Sequence, residues 1–159
     1  MKISAQEEYG LRCLVQLACL SGGESLTLPQ IAEREGISTA NAGKLMWLLN
    51  KAGFVHSTRG TKGGYFLARP ASEIRLSEII RVLDKDVLTK HCESYTGVLD
   101  SCVHNGDCGI RPVIVGLHEI VENALSQITL AQLVGSESSV DAMFHQIKGI
   151  NRTLEPNRI

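Results

Sequence analysis

The chain has 159 residues, 43% hydrophobic and 21% charged, with aromatics at only 4%; it supports an ordinary packed core and favours helices over a sandwich. No apolar run is long enough to span a bilayer, and the opening MKISAQEEYG lacks a signal peptide's layout, so a cytoplasmic protein with no membrane partner is expected, one in which five cysteines argue against a disulfide framework. The formal net charge of −1 argues by itself against a nucleic-acid partner, but the distribution of charge reverses that argument below.

Ser4-Ala-Gln-Glu7 reads as a capping box, with Ser4 as N-cap and Glu7 reaching back. Leu11, Leu14, Val15 and Ala18 follow as a helical stripe that ends near Ser21-Gly22-Gly23. Thr27-Leu-Pro-Gln30 is a second capping box, opening a short helix through Ile31 and Ala32 to Gly36. Ser38 caps a third helix, with Ala42, Leu45, Met46, Leu49 and Ala52 on its apolar side and Gly53 as its stop. Two short helices across a break containing Gly36 make a helix-turn-helix. Residues 54–58 and 65–68 read as strands, joined by the hairpin Arg59-Gly-Thr-Lys-Gly-Gly64, whose glycines are expected to supply positive φ. Helix-turn-helix plus a basic hairpin is a winged helix.

A short helix is expected over 76–83, with Ile79, Ile80 and Leu83 inward. A long helix then starts near Pro112, carrying Ile114, Leu117, Val121, Ala124, Leu125 and Ile128 on one side. So long an apolar stripe needs a second surface, and we read it as a dimerisation helix. Residues 130–134 add a turn or two, and the tail from Gly135 is polar, with Val140, Phe144 and Ile147 spaced for a weak amphipathic helix. The expected fold class is mostly α with a small β-hairpin: a winged helix-turn-helix plus a long dimerisation helix, in a homodimer. The expected division is 1–86 for DNA binding, 87–135 for the cysteine loop and dimerisation helix, and 136–159 for the polar tail.

Residues 38–69 hold five basic residues (Lys44, Lys51, Arg59, Lys62 and Arg69) and no Asp or Glu. The remainder carries eleven basic and seventeen acidic residues. A local basic face matters more for phosphate contact than the total charge does, and double-stranded DNA is the expected partner. On a recognition helix the N-terminal residues approach base edges, here Ser38, Thr39, Ala40, Asn41 and Lys44. Asn41 suits adenine and Lys44 suits guanine or phosphate. Arg59 and Lys62 at the wing tip suit a minor groove or phosphates. The alternative is a solvated basic face, or a winged helix that docks proteins. The run GTKGG is no phosphate loop, because its lysine precedes the glycine pair and a strand follows. Gly43, inside the helix, reads either as clearance for DNA or as a packing accommodation. Trp47 lies off the core stripe, beside Ala40, Lys44 and Lys51.

Three cysteines, Cys92, Cys102 and Cys108, fall within seventeen residues in a polar, glycine-rich stretch. Their C-x9-C-x5-C spacing is wider than the tight pairs of zinc knuckles and suits a larger iron–sulfur cluster. His91, His104 and Glu8 are the candidates for a fourth ligand; Glu8 borders the apolar stripe of the first helix, where a carboxylate needs a partner. Each has a plainer role: Glu8 pairing with Arg12 at i+4, the histidines solvated, the thiols free or forming a redox switch. Cys13 and Cys19 read as small buried hydrophobes.

These motifs resemble the dimeric bacterial winged-helix regulators of the IscR and NsrR type. The resemblance runs from Met1 to about Val134, on MKIS…EYGLRCLVQLA, LPQIAEREGIS, KAGFVHSTRGTKGGYFLARPASEIRLSEIIRVLD and, after the cysteines, ITLAQL. The R-G-x-x-G-G-Y wing at 59–65 is its most specific piece, and the three cysteines identify the cluster-binding branch. The resemblance implies a cluster, 4Fe–4S or 2Fe–2S, held by Cys92, Cys102 and Cys108. Where IscR-like members have a histidine ligand, this chain has Arg111. Glu8 matches the acidic ligand that NsrR-like members supply from the other subunit, which puts it ahead of His104 and His91. The expected function is a cytoplasmic, nucleoid-associated repressor on a palindromic operator, sensing nitric oxide, oxygen, redox state or iron–sulfur status. The alternatives are a zinc or thiol sensor of the same fold and a protein-docking winged helix. No cofactor loop, nucleophile elbow or acid–base pair points to an enzyme.

Overall fold

The computed structural model describes residues 3–22, 24–58, 63–83, 98, 99, 101–104 and 106–152. Helix α1 spans Ala5–Ala18 and opens with the expected box: Glu7 N donates to Ser4 Oγ at 3.2 Å, and Ser4 N donates to a Glu7 carboxylate oxygen at 2.7 Å. Its buried face is rotated slightly from the expected stripe. Gly10, Cys13, Leu14 and Leu17 are buried, while Leu11, Val15 and Ala18 lie half-buried at its rim.

Helix α2 (Leu28–Glu35) carries the second capping box and ends at Gly36, whose φ of 64° is the left-handed cap that glycine adopts without a Cβ penalty. Helix α3 (Thr39–Lys51) starts at Ser38, as the capping pattern requires. Strands β1 (Val55–Ser57) and β2 (Tyr65–Leu67) pair antiparallel with Val55 opposite Leu67 and Ser57 opposite Tyr65. They are shorter than expected, although hydrogen bonds from Thr58 N to Gly64 O (3.0 Å) and from Ala68 N to Phe54 O (2.9 Å) extend the hairpin at both ends.

Leu26 adds a third rung that periodicity does not announce. It exchanges backbone hydrogen bonds with Tyr65 at 3.0 and 2.7 Å. This contact explains Gly64, where positive φ does not: a Cβ there would lie 2.8 Å from the Leu26 carbonyl carbon and oxygen. The glycine permits close backbone approach.

A 3-10 turn (Ala71–Glu73) leads into α4 (Leu76–Leu83), in which Ile79 and Leu83 are buried and Ile80 is half-buried. Two contacts fix the end of α4 to α1. Gln6 Nε2 donates to Leu83 O at 2.6 Å, and the Leu83 side chain fills a notch at Gly10, where a Cβ would meet its Cδ1 at 2.5 Å.

Helix α5 (Arg111–Ser126) is stitched to the body at its far end. Leu76 N donates to Ile128 O at 2.9 Å, Leu130 N donates to Ile74 O at 2.8 Å, and Arg75 bridges Thr129. Arg81 of α4 also pairs with Glu122. No residue of α5 itself is buried. The stripe expected from sequence divides: Ile114, Val121, Ala124 and Leu125 are half-buried and Ile128 is buried, whereas Leu117 is exposed. Leu117 belongs with Ile110, Val113 and Ile120 to a second, exposed seam. A further 3-10 turn (Leu130–Leu133) precedes α6 (Glu137–Arg152), through which the polar tail is helical and Met143 packs on the core. The core is one cluster, with Leu14, Ile31, Met46, Leu49, Ile74 and Leu130 among its buried members.

Candidate nucleic-acid interface and thiol site

The cap at Ser38 and the core side of α3 together decide what α3 presents. Ser38 Oγ accepts from Asn41 N at 3.2 Å, and Ala42, Leu45, Met46 and Leu49 pin the opposite face. Ser38, Thr39, Ala40, Asn41 and Lys44 are therefore all exposed, on one end of one helix. Trp47 is 59% exposed, with the Lys51 ammonium 5.2 Å from its ring centroid. Gly43 has one neighbour where a Cβ would stand, Leu28 Cδ1 at 3.9 Å, an ordinary contact. Packing does not demand a glycine there.

Arg59 and Lys62 lie outside the described residues. The hairpin that carries them is braced by the His56 and Phe66 rings, 5.9 Å apart. Arg69, counted in the basic block, is occupied structurally: it pairs with Glu78, donates to Glu73 O at 2.8 Å and covers the Phe54 ring.

Cys102 and Cys108 are free and half-buried just ahead of α5, and His104 is exposed. Cys92 and His91 lie outside the described residues. Among the described residues no three His, Cys, Asp or Glu side chains converge as a metal-binding group. The N-terminus of α5 has no side-chain cap, and Arg111 N donates to Cys108 O at 3.2 Å. Glu8 is on the outer face of α1, half exposed, paired with Arg12 at 2.7 Å. It lines a groove with Ile3, Leu11, Val15 and Leu133, a feature that no pattern in the sequence marks. The donor chemistry at Cys102 and Cys108, two unbridged and accessible thiols, fits an iron–sulfur cluster; completing it requires donors from elsewhere.

The other two cysteines differ from each other. Cys13 is fully buried, and burial pushes its thiol up to about 12, with the Glu35 carboxylate adding to the rise, so it is an inert core group. Cys19, expected to be buried, is exposed at the C-terminal cap of α1, where the helix has already ended.

A family model described as Rrf2, iron-dependent transcriptional regulator, matches residues 3–136. The chain belongs to the Rrf2 family. It is 29% identical to the HTH-type transcriptional regulator IscR of Yersinia pseudotuberculosis over 153 residues, which is 96% of this chain and 91% of that one. Among solved structures, T. potens IscR matches with a TM-score of 0.65 and 28% identity, over 99% of this chain and 94% of that one. CymR of B. subtilis, named the global cysteine regulator, matches with a TM-score of 0.65 and 30% identity, over 84% and 96%. As an Rrf2 protein the chain is a DNA-binding transcription regulator with the winged-helix fold, and it is not an enzyme. Among the described residues no helix is long and apolar enough to cross a membrane.

Proposed function

We propose that this Rrf2 regulator is a homodimeric repressor whose hold on a palindromic operator is set by an iron–sulfur cluster. The observation that carries the reading is two free, half-buried thiols, Cys102 and Cys108, the second of them hydrogen-bonded through its carbonyl to the start of a helix that lacks a side-chain cap. Cys92, Cys102 and Cys108 hold the cluster, and Glu8 of the partner subunit is the fourth ligand, ahead of His104 and His91. When bound, the cluster supplies a centre responsive to nitric oxide, oxygen, redox state or iron–sulfur supply. The peptide dipoles of α5's first turn favour negative sulfur beside them. Glu8 is cheap to recruit, since an exposed i,i+4 ion pair such as Glu8–Arg12 contributes only about 0.3–0.5 kcal/mol.

The same reading accounts for two apolar surfaces. The groove around Glu8 has Ile3, Leu11, Val15 and Leu133 in its lining, and the exposed seam of α5 is Ile110, Val113, Leu117 and Ile120. Seating the seam of one copy in the groove of another covers both. Ile110 follows Cys108 by two residues, so that docking carries one subunit's thiols toward the other's Glu8. On DNA, Ser38, Thr39, Ala40, Asn41 and Lys44 meet the major groove, and Arg59 and Lys62 meet phosphates or the minor groove. Residues 1–86 bind the operator, 87–135 hold the cluster and dimerise, and 136–159 form the polar tail. The working compartment is the bacterial cytoplasm, at the nucleoid.

The likeness to CymR, which in S. aureus is also solved in an oxidized form, supports a second reading, in which this chain's thiols sense redox state without a cluster. The test is an anaerobic preparation assayed for visible absorption, iron, zinc and sulfide, repeated after nitric oxide and after air. We expect a coloured protein with comparable iron and sulfide, and loss of colour in Cys102→Ala. A colourless, sulfide-free protein whose DNA binding still depends on thiol oxidation, or on zinc, establishes the second reading instead.

A further inference from the structure

Two exposed residues of α3 have no part in the reading above: Trp47 and Lys51. At 100° per residue, Ala40, Lys44, Trp47 and Lys51 fall within a sector of about 60° and form one line down the helix. Trp47 lies about 10 Å along the axis from Ala40, against a major groove about 12 Å wide. With the first turn of α3 at the base edges, the indole reaches the lip of the groove. A bulky ring that is 59% exposed has been left out of its own core, and the Lys51 ammonium sits over it at 5.2 Å. Neither Lys44 nor Lys51 has an ion-pair partner among the described residues, and no acidic residue occurs from 38 to 69.

We propose that Trp47 and Lys51 form a second DNA contact, against the sugar–phosphate backbone flanking the groove that the first turn of α3 reads. The indole face covers deoxyribose, its N–H donates to a phosphate oxygen, and the Lys51 ammonium neutralises the neighbouring phosphate. Such a contact fixes the depth and angle of the helix without reading sequence. The proposal rests on α3 being the groove-entering helix.

Trp47 is the chain's single tryptophan, so its emission reports on this contact alone. The probe is a duplex selected from a random-sequence pool by the full-length protein. We expect binding to quench the emission saturably. Trp47→Ala should weaken the selected duplex and a scrambled one by the same factor. Trp47→Phe should recover part of that loss, and Lys51→Ala should flatten the salt dependence by about one unit of slope. Thermal stability should be unchanged in all three, because the side chains are exposed. A bound duplex that leaves the emission and the Trp47→Ala affinity unaltered would overturn the contact. A loss confined to one sequence would overturn the backbone assignment in favour of base reading. If the pool yields no bound duplex at all, the proposal falls together with the groove-entering role of α3.

Discussion

Gly43 is a position where a single methyl can tell folding apart from DNA binding. The space beside it accepts a Cβ, with Leu28 Cδ1 at 3.9 Å, and its φ lies outside the left-handed region. Replacing it by alanine should therefore stabilise α3 by about 1 kcal/mol. If the bare backbone provides clearance for a duplex, the same change should lower DNA affinity. We expect Gly43→Ala to raise Tm while weakening binding, measured by thermal melting and by gel shift on the selected duplex. A raised Tm with unaltered affinity would remove Gly43 from the interface. At this scale the sequence was informative wherever the cause was local. The boxes at Ser4 and Thr27 and the cap at Ser38 are three-residue relations, and all three formed. Gly64 and Arg69 were opaque because their reasons lie elsewhere in the chain, at Leu26 for one and at Phe54, Glu73 and Glu78 for the other.

Among the elements, α5 carries the clearest consequence. Its end is tied down by Ile128 and Leu130, yet Ile110, Val113, Leu117 and Ile120 remain exposed along it. Their spacing of three, four and three residues is that of a helix–helix seam. Charging it should uncouple two copies while sparing the fold, since these side chains contribute little to the chain's own core. We expect Leu117→Lys combined with Ile120→Lys to sediment as a monomer with native circular dichroism. A persistent dimer would place the interface elsewhere. Periodicity in the sequence identified this helix, but not which side meets its own body. Both sides are apolar, and the choice is made by Arg81, Arg75 and Ile74, which lie outside the helix. The groove at Glu8 was equally hidden, since Leu133 comes from the other end of the chain.

At the level of the whole regulator, the proposed cluster makes its occupancy and operator binding two equilibria of one molecule. Whatever factor cluster loss imposes on DNA affinity, DNA must impose on cluster loss. We expect the selected duplex to change the rate or extent of cluster loss, and the ratio of cluster-retention equilibria with and without DNA to equal the affinity ratio of the cluster-bound and cluster-free forms. Ratios that are both one under matched salt would mean that the two sites are uncoupled. The winged helix was legible as a whole because each of its parts has a local signal; the link between the thiols and that domain was not.

The tie between Leu83 and α1 has a mechanical meaning. The chain runs on from Leu83 toward Cys92, and its point of departure is clamped to α1 twice, through Gln6 and through the notch at Gly10. Whatever displaces Leu83 therefore displaces α1 with it, and α1 shares its buried core with α3.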